Sequence, residues 1–392
     1  MPDFFLIAGE ASGDLLGARL MQALKKKAPG SVFRGIGGPR MRDEGLELFF
    51  PQEELAHFGL FELLKHVPHL LRRMKETVAE VRRVKPDALI TIDAPDFCFR
   101  VAKRLKGEVP LIHYVAPTVW AWRPGRAKKI AQFLDHLMVL LPFEPVYFER
   151  EGLASTFVGH PIVESGAGQG DGEAFRARHA LPREAKLVAV LPGSRMSEIA
   201  KLLPIFRETL HLLQGRHSSL RVVIPAAPGL ASYLKEHTKD WPLPVLVVEG
   251  DAEKYGAFAA CRAALACSGT VAVELAMARL PAVIAYKISK LTYKLYRRLI
   301  KVRYANLVNL MHDKMLVPEF IQQDCTPEKL AASLDEIMTD EAARKKQIEG
   351  LSDVASWLGQ GQFVPSERAA ETVLRVSNNM ITLPLRACCE GS

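Results

Sequence analysis

The sequence predicts an α/β fold of two doubly wound parallel sheets facing across a cleft. Two observations carry this. Short continuous apolar runs alternate with helical patterns along the 392 residues, as parallel strands buried on both faces require. A unit of apolar run, small-residue loop and amphipathic helix also opens the chain and recurs at residue 186. Ligands of such sheets bind outside the carboxyl ends of strands, so two facing units imply a binding cleft.

In order, residues 4–8 are apolar, Gly9-Glu10-Ala11-Ser12-Gly13-Asp14 reads as a polar turn, and Leu15, Leu16, Leu20 and Leu24 space out a helix over 15–27. Further strands are expected at 32–36, 88–92, 111–115, 137–141 and 156–158, with a helical pattern over 60–84. Residues 165–170 hold no apolar anchor and read as a linker or mobile crossover. The theme then restarts with a strand at 186–191, a turn at 192–195 and a helix over 198–213, followed by strands at 221–225, 245–248, 263–266 and 282–285. A last helix starts at Pro365-Ser366-Glu367 with Ala369, Ala370, Val373 and Leu374 on one side, and little order is expected after Ser377.

Apolar residues make 48% and charged residues 24% of the chain, which permits a core and excludes global disorder. The 52 Lys and Arg against 44 Asp and Glu leave +8, which favours an anionic partner: phosphate groups, nucleic acid or an acidic membrane face. No run reaches the roughly 18 uncharged apolar residues of a membrane span, and no secretory leader is expected. None of the six cysteines forms a C-x-x-C pair, so a reduced cytoplasmic protein is expected, with Cys98, Cys261 and Cys267 as small core residues.

The chemistry concentrates at strand ends. Leu191-Pro192-Gly193-Ser194-Arg195 joins a strand to a helix. Free N–H groups and the helix dipole favour an anion there, Gly193 permits close backbone approach, and Ser194 and Arg195 add donors. An ordinary turn with a surface arginine is the plain alternative, but a second small-residue turn, Cys267-Ser268-Gly269-Thr270, supports phosphate binding. Glu274, one helical turn beyond Thr270, is placed to accept from the two hydroxyls of a ribose; its apolar neighbours Val273, Leu275 and Ala276 argue against simple solvation.

In the first half, Ile92-Asp93-Ala94-Pro95-Asp96-Phe97 ends a strand with two carboxylates. Apolar surroundings suit one of them to proton abstraction from a hydroxyl. Asp93 is favoured as base and Asp96 as helix cap or substrate ligand, with the choice between them open. Glu10, Ser12 and Asp14 fall within reach of the same cleft, with Glu10, Ser12 and Asp96 on its acceptor side, whereas His113 and His160 read as structural. No P-loop, dinucleotide fingerprint, D-x-D pair or H-E-x-x-H motif occurs. Neither a metal nor a cofactor is therefore expected, and arginine with helix N-termini must neutralise a leaving diphosphate.

Two basic amphipathic stretches remain. Residues 287–303 hold Lys287, Lys290, Lys294, Arg297, Arg298, Lys301 and Arg303 and no acid, beside Leu291, Leu295, Tyr296, Leu299 and Ile300. Residues 65–85 hold Lys65, Arg72, Arg73, Lys75, Arg82, Arg83 and Lys85 against Glu76 and Glu80, just after the apolar run around Phe58 and Phe61. Such faces suit anionic lipid; the alternative is a helix packing one side on its sheet.

Several of these runs resemble the lipid-A-disaccharide synthase family. They are Ala8–Asp14, Ile92–Phe97, the tryptophan-bearing run from His113 to Arg123, Leu141-Pro142-Phe143-Glu144, Val158-Gly159-His160, Leu191–Arg195, Ser268-Gly269-Thr270 with Glu274, and the run from Asn306 to Leu310. The match runs in order from residue 5 to about residue 330; the last sixty residues match only in helical character.

The resemblance implies an inverting glycosyltransferase of the metal-independent GT-B architecture, with two Rossmann-like domains. The family transfers 2,3-diacylglucosamine from UDP-2,3-diacylglucosamine to 2,3-diacylglucosamine 1-phosphate, making a β-1,6-linked disaccharide and UDP in lipid A biosynthesis. By position, Gly193, Ser194, Arg195, Ser268, Gly269, Thr270, Glu274 and Asn309 inherit the nucleotide, and Asp93 the role of base. The implied domains are an acceptor-binding 1–164, a UDP-sugar-binding 172–350 and a helical 351–392 crossing back to the first. Peripheral contact with anionic lipid on the inner face of the cytoplasmic membrane is expected, nucleic acid is not, and a homodimer stays open. The alternatives are another UDP-amino-sugar transferase or epimerase, or a non-catalytic binder of anionic lipid.

Overall fold

The computed structural model describes residues 1–55, 60–289, 293 and 302–381. The chain divides into two compact units: Met1–Pro161 with the chain from Gln362 onward, and Ile162–Gly361.

The first unit contains β1 (Asp3–Ala8), β2 (Val32–Gly37), β3 (Glu47–Pro51), β4 (Ala88–Ile92), β5 (Leu111–Tyr114), β6 (His136–Val139) and β7 (Ser155–Phe157). They form one sheet in the order β3-β2-β1-β4-β5-β6-β7. Every pairing is parallel; Ile7 of β1, for example, lies opposite Ile36 on one side and Thr91 on the other. Helices cover both faces, which is why β1 is apolar from Phe4 to Ala8. One face packs Phe4 and Leu6 with Leu20, Met21 and Leu24 of α1 (Ala11–Lys27) and with Ala369, Ala370 and Val373 of the helix Pro365–Ile381. The other packs Phe5 and Ile7 with Met74, Val78 and Val81 of the helix Leu60–Val84.

The second unit contains β8 (Lys186–Leu191), β9 (Leu220–Ala226), β10 (Val245–Glu249), β11 (Ala263–Cys267), β12 (Ala282–Tyr286) and β13 (Glu319–Ile321), in the order β10-β9-β8-β11-β12-β13. Strand order reverses between β1 and β4 in one sheet and between β8 and β11 in the other. A crevice opens at such a point, because the helices after the two central strands leave on opposite faces. The expected α/β class with two doubly wound parallel sheets is the observed one.

Four local expectations are corrected. Helix α1 begins at Ala11, so the turn after β1 is only Gly9 and Glu10. Gly13 sits inside the helix because a Cβ there would lie 3.3 Å from both Ala8 Cβ and Ile92 O; it serves close helix-on-sheet packing, not a loop. The helix after β4, expected to start beyond Asp96, begins at Pro95, whose fixed φ suits the first helical position. Residues 165–170 are no mobile crossover: Ala167 is buried, and a Cβ on Gly170 would lie 1.9 Å from Tyr255 O. The edge strands β3 and β13 are additional to those expected: β13 is three residues long, and in β3 the apolar Leu48-Phe49-Phe50 stands between Glu47 and Pro51.

The basic stretch 65–85 is largely neutralised. Arg73 is 2.6 Å from Glu54 and 2.9 Å from Glu76, Arg72 pairs with Glu76, Arg82 with Glu108 and Arg83 with Glu80. In the stretch 287–303, residues 290–292 and 294–301 lie outside the described residues, as does Phe58. Among the described residues no helix is long and apolar enough to cross a membrane.

Candidate active site

The second unit holds a cavity of about 470 Å³ at its switch point. The turn after β8 lines it with Gly193, Ser194 and Arg195, and the turn after β11 with Ser268, Gly269, Thr270 and then Glu274. Sequence reasoning named all seven, and the fold brings them together. Gly193 is required at its place: its φ is +121°, and a Cβ would lie 2.6 Å from a Glu198 carboxylate oxygen. Arg195 caps α8 (Met196–Gln214) in an extended backbone conformation. Its side chain is 80% exposed and only 3.5 Å from Glu198 Oε1, so it is free to swing onto a ligand. The Ser194 N–H donates to Glu198 Oε2 at 3.3 Å, which holds the turn shut.

The helix after Thr270, α11 (Val271–Met277), is seven residues long. Its macrodipole is correspondingly small, and the donors it offers are local N–H groups and hydroxyls. Glu274 is mostly buried; burial raises its pKa, with the charge and hydrogen bond of Lys254 pulling the other way. Lys254 Nζ lies 3.2 Å from Glu274 Oε1 and 3.1 Å from Asp251 Oδ1. Sequence reasoning missed Lys254, Asp251 and Glu198, all of which line the cavity.

Asn309 does not line it. The residue is fully buried, its Oδ1 accepts from Leu316 N and Val317 N at 2.8 Å each, and its Nδ2 donates to Val317 O at 2.7 Å. The side chain is committed to closing its own turn, and the nucleotide role expected for it is withdrawn.

In the first unit, Asp93 follows β4 in the left-handed region, with φ 52°. Its Oδ1 accepts from Ala94 N at 3.0 Å, and its Oδ2 takes the Ser12 hydroxyl at 3.3 Å. The two loops at the switch point are thereby joined. Asp96 is not the helix cap; it lies inside the first turn after Pro95, its side chain 98% exposed and 3.8 Å from Arg126. Glu10 is half-buried at the N-cap of α1. Asp14 is withdrawn from the site: it is buried and accepts from the backbone N–H groups of Gly38, Arg40 and Met41, capping the short helix Pro39–Asp43.

The tryptophan-bearing run is held by a buried carboxylate. Glu144 accepts from Trp120 Nε1 at 3.1 Å, Leu140 N at 3.1 Å and Leu141 N at 3.0 Å. Burial raises its pKa and these donors oppose it. His113 is a structural histidine: burial holds it neutral down to about 3, with Nδ1 2.7 Å from Thr91 Oγ1.

The sequence pattern of the lipid-A-disaccharide synthetase family matches residues 4–373. The chain belongs to that family. It is 59% identical over 376 residues to a lipid-A-disaccharide synthase of Rhodospirillum centenum, covering 95% of this chain and 94% of that one. A second, of Paramagnetospirillum magneticum, is 50% identical over 94% of this chain and 96% of the relative. As a family member the chain is a glycosyltransferase of lipid A disaccharide synthesis, which implies a UDP-sugar donor and a glycosyl acceptor.

Solved structures show the same fold at low identity. An S. aureus MnaA–UDP co-structure superposes with a TM-score of 0.64 at 12% identity, covering 98% of each chain. The MurG of Acinetobacter baumannii gives 0.58 at 14%, covering 95% of this chain and 99% of that one. The fold is that of the GT-B glycosyltransferases and UDP-sugar epimerases.

Proposed function

We propose that the enzyme transfers 2,3-diacylglucosamine from UDP-2,3-diacylglucosamine to the 6-hydroxyl of 2,3-diacylglucosamine 1-phosphate. The observation that supports this reading is the convergence of both glycine turns and Glu274 on one cavity, in a chain of this family. Gly193, Ser194, Arg195, Ser268, Gly269 and Thr270 hold the diphosphate, and Glu274 the ribose hydroxyls. Asp93 removes the proton of the acceptor 6-hydroxyl, with Glu10, Ser12 and Asp96 on the acceptor side. The oxygen attacks the anomeric carbon from the face opposite UDP, the carbon–oxygen bond to the β-phosphate breaks, and its electron pair leaves with UDP. Inversion gives the β-linked disaccharide. Arg195 and the N-terminus of α8 stabilise the charge that develops on the leaving diphosphate.

The acyl chains need an apolar surface, for which residues 58–71 are the candidate. Val67 and Leu71, one helical turn apart, are 39% and 40% exposed, which supports it. The net charge of +8 supports peripheral contact with anionic lipid at the inner leaflet. Incubation with the two acylated sugars tests the reading. Release of UDP with a tetraacyl disaccharide 1-phosphate is expected; turnover of an unacylated UDP sugar alone would favour an epimerase or a different transferase.

A further inference from the structure

In the nucleotide cavity, Lys254 and Glu274 come from different helices, α10 (Asp251–Ala260) and α11. The Lys254 ammonium is fixed on three sides: Glu274 Oε1 at 3.2 Å, Asp251 Oδ1 at 3.1 Å and the Tyr255 ring, whose centroid is 4.7 Å away. A mostly buried carboxylate left alone tends to take up a proton, and the acid then offers fewer acceptor sites. A ribose diol needs two.

We propose that Lys254 is a positioning residue for nucleotide recognition, holding Glu274 ionised and oriented so that its oxygens accept from the 2′- and 3′-hydroxyls of the ribose. This rests on the reading of Glu274 as the ribose acceptor and adds a second residue through which it works. The pKa of Lys254 rises, as pairing with a carboxylate requires, whereas that of Glu274 also rises on balance because its burial outweighs the opposing cation. Burial would lower that of Lys254, but the Glu274 charge and the Asp251 hydrogen bond outweigh it and raise the value. Burial raises that of Glu274, and Lys254 is the group that opposes the rise. The other charged or titratable groups lining the cavity are Asp251 on α10, Arg195 and Glu198 around the turn after β8, Cys267 at the end of β11 and Tyr286 at the end of β12.

The test is titration of the full chain with UDP and with 2′-deoxy-UDP, read as the ratio of the two affinities. The ratio cancels loss of active protein in a variant and the ionisation of the diphosphate. The wild type should prefer UDP by about tenfold or more, as a hydrogen bond to a charged group implies. Lys254→Met should bring the preference to about twofold or less, and Lys254→Arg should restore part of it. The pH below which the preference fades should be higher in Lys254→Met, because the carboxyl has lost its cation. Lys254→Met on top of Glu274→Gln should add nothing to the effect of Glu274→Gln alone. If Lys254→Met keeps the preference that Glu274→Gln loses, the lysine proposal falls and the ribose reading stands. If Glu274→Gln itself keeps the preference, the ribose reading falls. Additive losses in the double variant would mean that the lysine acts on the nucleotide directly, which also overturns the proposal.

Discussion

The Ser12 hydroxyl lies 3.3 Å from Asp93 Oδ2, joining the first turn of α1 to the end of β4. Helix α1 follows β1, and β1 and β4 are the strands between which the first sheet reverses its order. With Ala94 N on the other oxygen, the carboxylate is held at both ends. In the proposed role of base, a carboxylate held this way meets its substrate with little reorganisation.

Replacing Asp93 with Asn tests that role with little disturbance of the backbone, since Asn tolerates the left-handed conformation of this position. Turnover should fall by about 100-fold or more, the usual contribution of a general base. UDP affinity should stay within about twofold, because the residues proposed to hold the nucleotide belong to the other unit. Near-normal turnover would remove the assignment.

Arg195→Ala should separate binding from stability. The side chain is 80% exposed and, among the described residues, makes only a long contact with Glu198, so unfolding free energy should move by no more than about 0.5 kcal/mol. UDP affinity should drop about tenfold through loss of a charge-assisted contact. An unchanged calorimetric affinity would reject the phosphate role.

What the sequence revealed follows from what is local. Strand, small-residue turn and helix are contiguous, so Gly193–Arg195, Ser268–Thr270 and Asp93 were legible, and parallel pairing then carried each to a switch point. Lys254 was not legible: Asp251-Ala252-Glu253-Lys254 looks like a solvated helix start, and its partner arrives from another helix 20 residues on. Gly13 misled because a glycine needed for helix-on-sheet packing looks the same in sequence as a glycine in a loop. Asn309 misled for a related reason, since an amide that closes a buried turn resembles one that meets a ligand. The positive surface of residues 65–85 shrank because carboxylates distant in sequence, Glu54 and Glu108, come to its arginines.

With the arginines of residues 65–85 paired, the proposed contact with anionic lipid falls chiefly to the basic side chains of residues 287–303. Sedimentation with vesicles of anionic lipid should fall steeply as salt is raised, since exposed charges are screened within about 10 Å at 0.1 M. Replacing Lys294, Arg297 and Arg298 with Glu should reduce it further, whereas replacing Arg82 and Arg83, which are already paired, should have a smaller effect. Equal sedimentation of all variants would count against the attachment.

Acid sensitivity of the first unit should trace to histidines that burial keeps neutral. His113 holds off protonation to about 3 and His136 to about 4, both through desolvation, with the nearby Arg126 and Arg375 charges adding to it. The unfolded chain protonates near the ordinary value of 6.5. Between these limits the unfolded state binds more protons, so stability is full above pH 6.5 and is lost as pH falls toward the folded values. Each such histidine tilts the unfolding free energy by up to about 1.4 kcal/mol per pH unit. In His113→Phe, where the ring contact with Phe99 at 4.5 Å persists in kind, the slope between pH 6 and 4 should shrink by about one histidine's share. Urea unfolding followed by amide exchange of β5 measures it, and a slope equal to the wild type's would show that His113 does not set the acid limit.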